Sequence, residues 1–187
     1  MDHEAELRDI LKKHWGYDAF LPLQQEAMEA TLSRRDSLVV LPTGGGKSLC
    51  FQAPALALPG MALLVSPLIS LMKDQVDALA EAGVPAERID SSLSADERCA
   101  VWERVRDGEV KLLYVSPERL VSEQFSAAMR ELSVAFVAVD EAHCVSMWGH
   151  DFRPEYRQLG KLKEQLPGIT VHAFTATATP PVREDIV

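Results

Sequence analysis

Short apolar runs separated by longer stretches of helical period organise this chain. Val39-Val40-Leu41, Ala62 to Val65 (ALLV), Lys111 to Val115 (KLLYV), Ala135 to Val139 (AFVAV) and Val171 to Phe174 are nearly continuous in apolar residues and hardly alternate. A strand buried on both faces reads this way, whereas a half-exposed strand alternates. A further short strand is expected near Ile89. Between the runs the spacing predicts helices over 2–15, with Leu7, Ile10, Leu11 and His14 on one face and Gly16 as the stop, and over 22–32, opened by Pro22. Others are expected from Lys47, where Pro54 must bend or end the helix, and from Ser66-Pro67 to Ala82. The pattern continues with helices over 95–106, from Ser116-Pro117 to Glu131, over 154–166, and from Pro180 onward.

Strands alternating with helices predict an α/β fold, a mainly parallel central sheet with helices on both faces. Ligands of such sheets bind at the carboxyl ends of the strands. At 187 residues the chain suits one domain, and it carries no repeat, low-complexity tract or linker. A net charge of −9 argues against a nucleic-acid-coating protein, so any nucleic-acid contact must rest on particular segments. No apolar stretch is long enough for a membrane span, and the acidic start MDHEAELRDI lacks the apolar core of a secretory signal. Cys50, Cys99 and Cys144 have neither the number nor the spacing of a disulfide framework or a cysteine zinc site, which suggests a reducing, cytoplasmic location and no structural zinc.

The first chemistry lies in Leu38 to Leu49 (LVVLPTGGGKSL). An apolar strand runs through Pro42 and Thr43 into three glycines and then Lys47-Ser48 at a helix start. Such a turn lets backbone N–H groups wrap round phosphates, with Lys47 reaching the β- and γ-phosphates and the Ser48 hydroxyl holding Mg²⁺. The strict G-x-x-x-x-G-K-[ST] pattern is broken by Leu41 at its first position, so a glycine-rich loop with a surface lysine is the plain alternative. AFVAV delivers Asp140 and Glu141 to a strand end; paired with the P-loop, Asp140 suits Mg²⁺ and Glu141 the attacking water. Alone they could equally be acidic residues at a helix N-terminus.

Cys144 to Tyr156 (CVSMWGHDFRPEY) interleaves Trp148, His150, Phe152 and Arg153 in an irregular loop. These can stack on unpaired bases and contact phosphates, or the rings can fold back into the core. His143, Cys144 and His150 lack a fourth ligand at zinc spacing. Val65-Ser66-Pro67 and Val115-Ser116-Pro117 repeat one another at strand ends, and helix capping accounts for both. Thr175-Ala176-Thr177-Ala178-Thr179 can relay contacts or merely cap. Tyr17, Phe20 and Gln24 precede the P-loop, where a glutamine amide can pair with adenine and a tyrosine stack on it.

In wording and order, PTGGGKSLC, SPLISLMKDQV, LLYVSPERL, AVDEAHCVSMWGHDFRPEY and FTATAT resemble the RecQ-type DNA helicases of superfamily 2. The resemblance covers nearly the whole chain. It implies a RecA-like P-loop NTPase domain over 1–187, with 1–35 a helical lead-in carrying the adenine-recognition segment. By resemblance, Thr43 and Gly44, Gly45, Gly46, Lys47 and Ser48 bind ATP phosphates and Mg²⁺. Asp140 and Glu141 serve metal and water, and His143 contacts the γ-phosphate region and communicates with Thr175 to Thr179, including Thr177. Gln24 recognises adenine and Tyr17 stacks on it. Trp148 to Arg153 couples single-stranded DNA to hydrolysis, while Ser66 to Gln75 (with Lys73) and Ser116 to Leu120 (with Arg119) lie along the DNA backbone.

Where the family usually has Arg-Pro-Gly-Gln this chain has Leu21-Pro22-Leu23-Gln24, which removes an arginine contact to nucleotide. The resemblance further implies a second RecA-like domain with an arginine finger, and zinc-binding, winged-helix and HRDC regions in many relatives, none of which these residues contain. The expectation is an ATP-dependent 3′–5′ helicase acting on single-stranded and partial duplex DNA in recombination and repair, at the nucleoid if bacterial. The fragment alone is expected to bind nucleotide weakly and be nearly inactive. An RNA helicase or remodelling ATPase, and a non-hydrolysing nucleotide-gated DNA-binding module, are the competing readings.

Overall fold

A computed structural model describes residues 3–120 and 122–187. Asp2, where the first helix was expected to begin, lies outside these residues, as does Val121 within the helical region expected from Ser116 to Glu131. Six strands form one parallel sheet: β1 (Ser37–Val40), β2 (Met61–Val65), β3 (Ala86–Ile89), β4 (Leu112–Val115), β5 (Val134–Val139) and β6 (Val171–Thr175), in the order β1-β6-β5-β2-β4-β3. The helices are α1 (His3–Trp15), α2 (Gln24–Leu32), α3 (Lys47–Ala57), α4 (Ile69–Glu81), α5 (Ala95–Arg106), α6 (Pro117–Leu120), α7 (Glu123–Arg130), α8 (Pro154–Arg157), α9 (Leu162–Gln165) and α10 (Pro180–Ile186).

The period of two along each strand sorts the core into two layers. Leu63, Val65, Leu113, Val115, Val137 and Val139 face Val101, Phe125, Met129 and Tyr156. Ala62, Leu64, Leu112, Tyr114, Phe136 and Ala138 face Cys50, Phe51, Met72 and Leu79 of α3 and α4. With both faces covered, the strands have no polar side to show, which explains their continuous apolar runs. Leu7, Leu11, Met28, Leu32 and Ala53 join α1 and α2 to α3 in a smaller cluster. Among the described residues no helix is long and apolar enough to cross a membrane.

Several element boundaries differ from those the sequence suggests. α2 begins at Gln24 instead of Pro22, because Leu23 takes a left-handed backbone (φ 67°) that no right-handed helix can include. α3 continues through Pro54 to Ala57; the packing of Cys50, Phe51 and Ala55 against the sheet outweighs the hydrogen bond that proline forfeits. Ser66-Pro67 does not start α4, since Leu68 is still extended. The region after Pro117 splits into α6 and α7, with the Ser122 hydroxyl accepting from the Phe125 N–H. Residues 154–166 divide into α8, a 3-10 turn over Gln158–Lys161 and α9.

Candidate nucleotide and DNA site

Because all six strands run the same way, the P-loop, Ser66, Ser116, Asp140 and the Thr175 segment all follow strand carboxyl ends at one edge of the sheet. β6 and β5 are neighbours and β1 lies beside β6, so the P-loop and the Asp140 turn flank Thr175. The Leu41 N–H donates to the Thr175 carbonyl at 3.1 Å, and Asp140 N–H to the Val65 carbonyl at 2.9 Å.

Gly44 and Gly46 both have positive φ (81° and 71°), and Gly46 caps α3. A Cβ on Gly46 would stand 2.2 Å from the Gln24 amide nitrogen, so only glycine fits there. The Gln24 side chain is buried; its amide oxygen accepts from Leu21 N–H (2.8 Å) and its nitrogen donates to the Gly46 carbonyl (3.2 Å). Gln24 is therefore placed as a clamp between the lead-in loop and the P-loop. Tyr17, Leu21 and Leu23 are exposed around it.

Lys47 lies near enough to Asp140 to pull down the pKa of its carboxyl, yet burial, reinforced by the neighbouring Glu141 charge, raises that pKa to about 6. The Glu141 N–H donates to its neighbour's Oδ1 at 2.9 Å, and Glu141 itself holds a left-handed backbone (φ 50°). Strain of this kind is kept where the surrounding structure over-determines it, often at functional sites. Ser48 supplies a hydroxyl oxygen and Asp140 a carboxylate oxygen, hard donors of the type Mg²⁺ prefers, and a buried carboxylate held back from ionising suits a cation. The residues present therefore fit Mg²⁺.

His143 joins the parts. Its Nδ1 lies 2.9 Å from Thr175 Oγ1 and 3.3 Å from Glu141 Oε2, and its ring stacks on His150 with centroids 4.3 Å apart. Burial lowers its pKa, against the raising influence of Glu141, so the ring is neutral at neutral pH. Thr175 Oγ1 donates to the Thr177 carbonyl (3.0 Å), leaving His143 Nδ1–H as the donor between the two rings of contacts.

The loop after His143 keeps its aromatics outward: Trp148 is 77% exposed and Phe152 37%. Its ends are fixed. Ser146 Oγ donates to Asp185 (2.7 Å), Tyr156 OH to the Asp140 carbonyl (3.0 Å), and Arg153 donates to both Asp151 and the Pro67 carbonyl (3.2 and 3.3 Å). Arg153 thus docks the loop on the segment after β2. Ser66 and Ser116 are both buried residues, and the Ser66 hydroxyl is itself enclosed without a partner, so it is not accessible to a DNA strand in this conformation. The exposed Lys73, paired with Asp77, and the half-buried Arg119 are the cations of those segments that a phosphate can reach. Ser66 caps no helix, which departs from the capping expectation, whereas Ser116 stands directly before α6 and its carbonyl accepts from the Arg119 and Leu120 N–H groups.

His143, Cys144 and Asp151 bring ligand atoms within 4.8 Å of one another, with Asp151 in place of the His150 considered from sequence. Burial pushes the Cys144 thiol up to about 12, which opposes the thiolate a metal needs, and the thiol points at Asp151.

Residues 21–186 match the model of the DEAD/DEAH box helicase family. The chain belongs to that family. It is 49% identical over 99% of its length to ATP-dependent DNA helicase RecQ of Pasteurella multocida, and 47% identical over its full length to that of Bacillus subtilis, covering 30% and 32% of those proteins. It thus spans about a third of the curated relatives it matches. Among solved structures, the DNA-bound DUF1998 helicase MrfA (TM-score 0.76) and Mycobacterium smegmatis helicase Lhr bound to ssDNA and AMP-PNP (TM-score 0.72) are each 21% identical over 97% of this chain, covering 28% and 25% of those chains. At that identity they show a shared helicase-domain fold.

Sequence reasoning about this helicase domain passed over three buried or half-buried polar residues, Gln52, Gln75 and Tyr114. They form a hydrogen-bonded group against Ser48. Tyr114 reads as one more ring in an apolar strand, and a helical glutamine carries no signal until its neighbours are known. A cavity of about 280 Å³ opens beside Ser48, lined by Trp15, Gln52, Asp74 and Gln75. The larger cavity, about 570 Å³, lies among Leu38, Tyr156, Leu159 and Ile186 and includes no P-loop residue.

Proposed function

We propose that this domain is the ATP- and single-stranded-DNA-binding half of a RecQ-type 3′–5′ DNA helicase motor acting in recombination and repair. One observation carries the reading: His143 touches Glu141 and Thr175 while its ring stacks on His150 of the outward-facing Trp148 loop. The groups suited to hydrolysis and those suited to unpaired bases thereby share one side chain.

In this reading the P-loop N–H groups and the Lys47 ammonium bind the ATP phosphates, and the Glu141 carboxylate orients and takes a proton from the attacking water. Mg²⁺, held by Ser48 and Asp140, would neutralise charge on the phosphates. His143 is placed to sense Glu141 and pass its position to Thr175 and to the loop. Trp148 and Phe152 offer stacking surfaces to bases, and Lys73 and Arg119 offer charge to the strand's phosphates. The similarity to RecQ helicases over nearly the whole chain supports DNA as the nucleic acid. We further propose that the isolated chain turns ATP over slowly, because a partner motor domain in cis supplies the remaining transition-state contact; an arginine finger typically contributes about 10³- to 10⁵-fold.

The test compares ATP hydrolysis by the complete motor with single-stranded DNA and with RNA of matched length. Stronger stimulation by DNA is expected; stronger stimulation by RNA would replace this reading with an RNA helicase. The isolated chain should show little turnover with either, and motor-like rates from it would overturn the two-domain proposal.

A further inference from the structure

The polar group beside Ser48 is a continuous hydrogen-bonded chain. Gln75 Nε2 donates to Ser48 Oγ at 2.9 Å. Gln75 Oε1 accepts from Gln52 Nε2 at 2.9 Å and from the Tyr114 hydroxyl at 2.8 Å, and Gln52 Nε2 also donates to the Tyr114 oxygen at 3.0 Å. An amide can be turned over so that its oxygen and nitrogen exchange places, and the surrounding donors decide which way it lies. Here the Tyr114 oxygen accepts a hydrogen bond from Gln52 and its hydroxyl donates one to Gln75. With the Gln75 oxygen toward these two donors its nitrogen faces Ser48, and only a joint turn of the Gln52 and Gln75 amides would keep every contact while reversing that direction. Turning Gln75 over alone would set –NH₂ against two donors while Gln52 and Tyr114 are both buried, leaving polar groups unpaired.

A nitrogen that only donates obliges Ser48 Oγ to accept. The hydroxyl hydrogen must then point away from Gln75, and one lone pair on Oγ stays open. The group also spans three elements: Ser48 and Gln52 one turn apart on α3, Gln75 on α4 and Tyr114 on β4. We infer that Gln75 is a positioning residue for the Ser48 hydroxyl: locked by Gln52 and Tyr114, it presets the direction in which Ser48 offers its free lone pair to a divalent cation, and it ties that position to α4. This rests on the reading of Ser48 as a Mg²⁺ ligand at a nucleotide site.

The experiment measures binding of a fluorescent N-methylanthraniloyl-ADP to this chain with Mg²⁺ and with chelator, so that no turnover is needed. Wild-type binding should tighten on adding Mg²⁺. Gln75→Met, which keeps the volume and removes the donor, should leave the metal-free Kd within about twofold and weaken the Mg²⁺-bound Kd roughly 3- to 10-fold, the reach of one hydrogen bond. Tyr114→Phe should act in the same direction and by less, because Gln52 still holds the amide; it carries the test if Gln75→Met does not fold. Equal weakening with and without Mg²⁺, or full Mg²⁺ tightening in both variants, would overturn the role of Gln75. Full Mg²⁺ tightening in Ser48→Ala would instead overturn the reading of Ser48 on which it rests.

Discussion

His143 Nδ1 and Thr175 Oγ1 lie 2.9 Å apart at the carboxyl end of the sheet, joining the turn after β5 to the end of β6. Both residues are buried, and the threonine hydroxyl also bonds the Thr177 carbonyl. Replacing Thr175 by valine keeps the shape and leaves the imidazole N–H only its longer contact to Glu141 at 3.3 Å. In the complete motor, Thr175→Val is expected to lower DNA-stimulated ATP hydrolysis about tenfold, the effect of one buried hydrogen bond, with little change in nucleotide affinity. Steady-state kinetics with saturating single-stranded DNA checks this; a change confined to KM for ATP would contradict a linking role.

Trp148 exposes most of its surface on a loop anchored by Ser146, Arg153 and Tyr156. An anchored, outward-facing indole costs little to order when a base stacks on it. Stacking is worth about 1–3 kcal/mol per base, so Trp148→Ala should weaken single-stranded DNA binding roughly tenfold or more. Fluorescence anisotropy with a labelled oligonucleotide measures it, and unchanged thermal stability should accompany the loss.

Leu23 holds φ at 67° with 56% of its surface exposed. A left-handed leucine costs about 1–2 kcal/mol. Glycine would remove that cost while losing roughly 0.5–1 kcal/mol to its freer unfolded chain. Leu23→Gly is therefore expected to stabilise the domain by up to about 1 kcal/mol, a rise of roughly 2–4 °C in Tm. Scanning calorimetry decides it; a lower Tm would show that leucine contacts outweigh the backbone strain.

His172 is fully buried, bonded through Nδ1 to the Ser37 hydroxyl at 2.9 Å and set edge-on to Phe136, while its Nε2 has no partner. Burial lowers its pKa to about 4, although Asp36 pulls the other way. Unfolded histidine titrates near 6.5, so between roughly 6.5 and 4 the unfolded chain takes up a proton that the folded chain refuses. Its contribution to stability is full above that window, falls by about 3 kcal/mol as pH drops through it, and is constant below. Urea unfolding of wild type and His172→Leu between pH 7.5 and 4.5 should show a shallower acid loss in the variant. Parallel losses would place the acid sensitivity elsewhere.

The strands were legible because burial on both faces leaves a mark in one short window of sequence, and AFVAV shows it best. The helix over 95–106 was equally clear from its helical spacing, and the structure adds a reciprocal capping box of Ser94 and Glu97 at its start. Boundaries set by distant atoms were not legible. Nothing near Leu23 announces a left-handed residue, and Pro54 gives no sign that the sheet will hold α3 together. In the site, Lys47, Asp140 and Glu141 stand out because phosphate chemistry demands those residue types at strand ends. The burial of Ser66 and Ser116, the docking of Arg153 on Pro67 and the Gln52–Gln75–Tyr114 group depend on contacts between elements dozens of residues apart. Spacing along the chain does not encode them.

Glu141 meets His143 at 3.3 Å on a strained backbone beside the Asp140 carboxyl. Glu141→Gln keeps the shape and removes the carboxylate proposed to act as base. Nucleotide binding should persist while DNA-stimulated hydrolysis falls on the order of 10²-fold or more. Single-turnover measurements separate the two, and loss of binding with intact hydrolysis per bound nucleotide would exclude a role in water activation.

The most direct measurement is ATP hydrolysis by the complete motor carrying Lys47→Ala, with and without single-stranded DNA. DNA-stimulated turnover is expected to fall on the order of 10²-fold or more, with DNA binding in the absence of nucleotide retained. Wild-type turnover in that variant would contradict the assignment of the Gly44–Ser48 loop as the nucleotide site of a helicase motor.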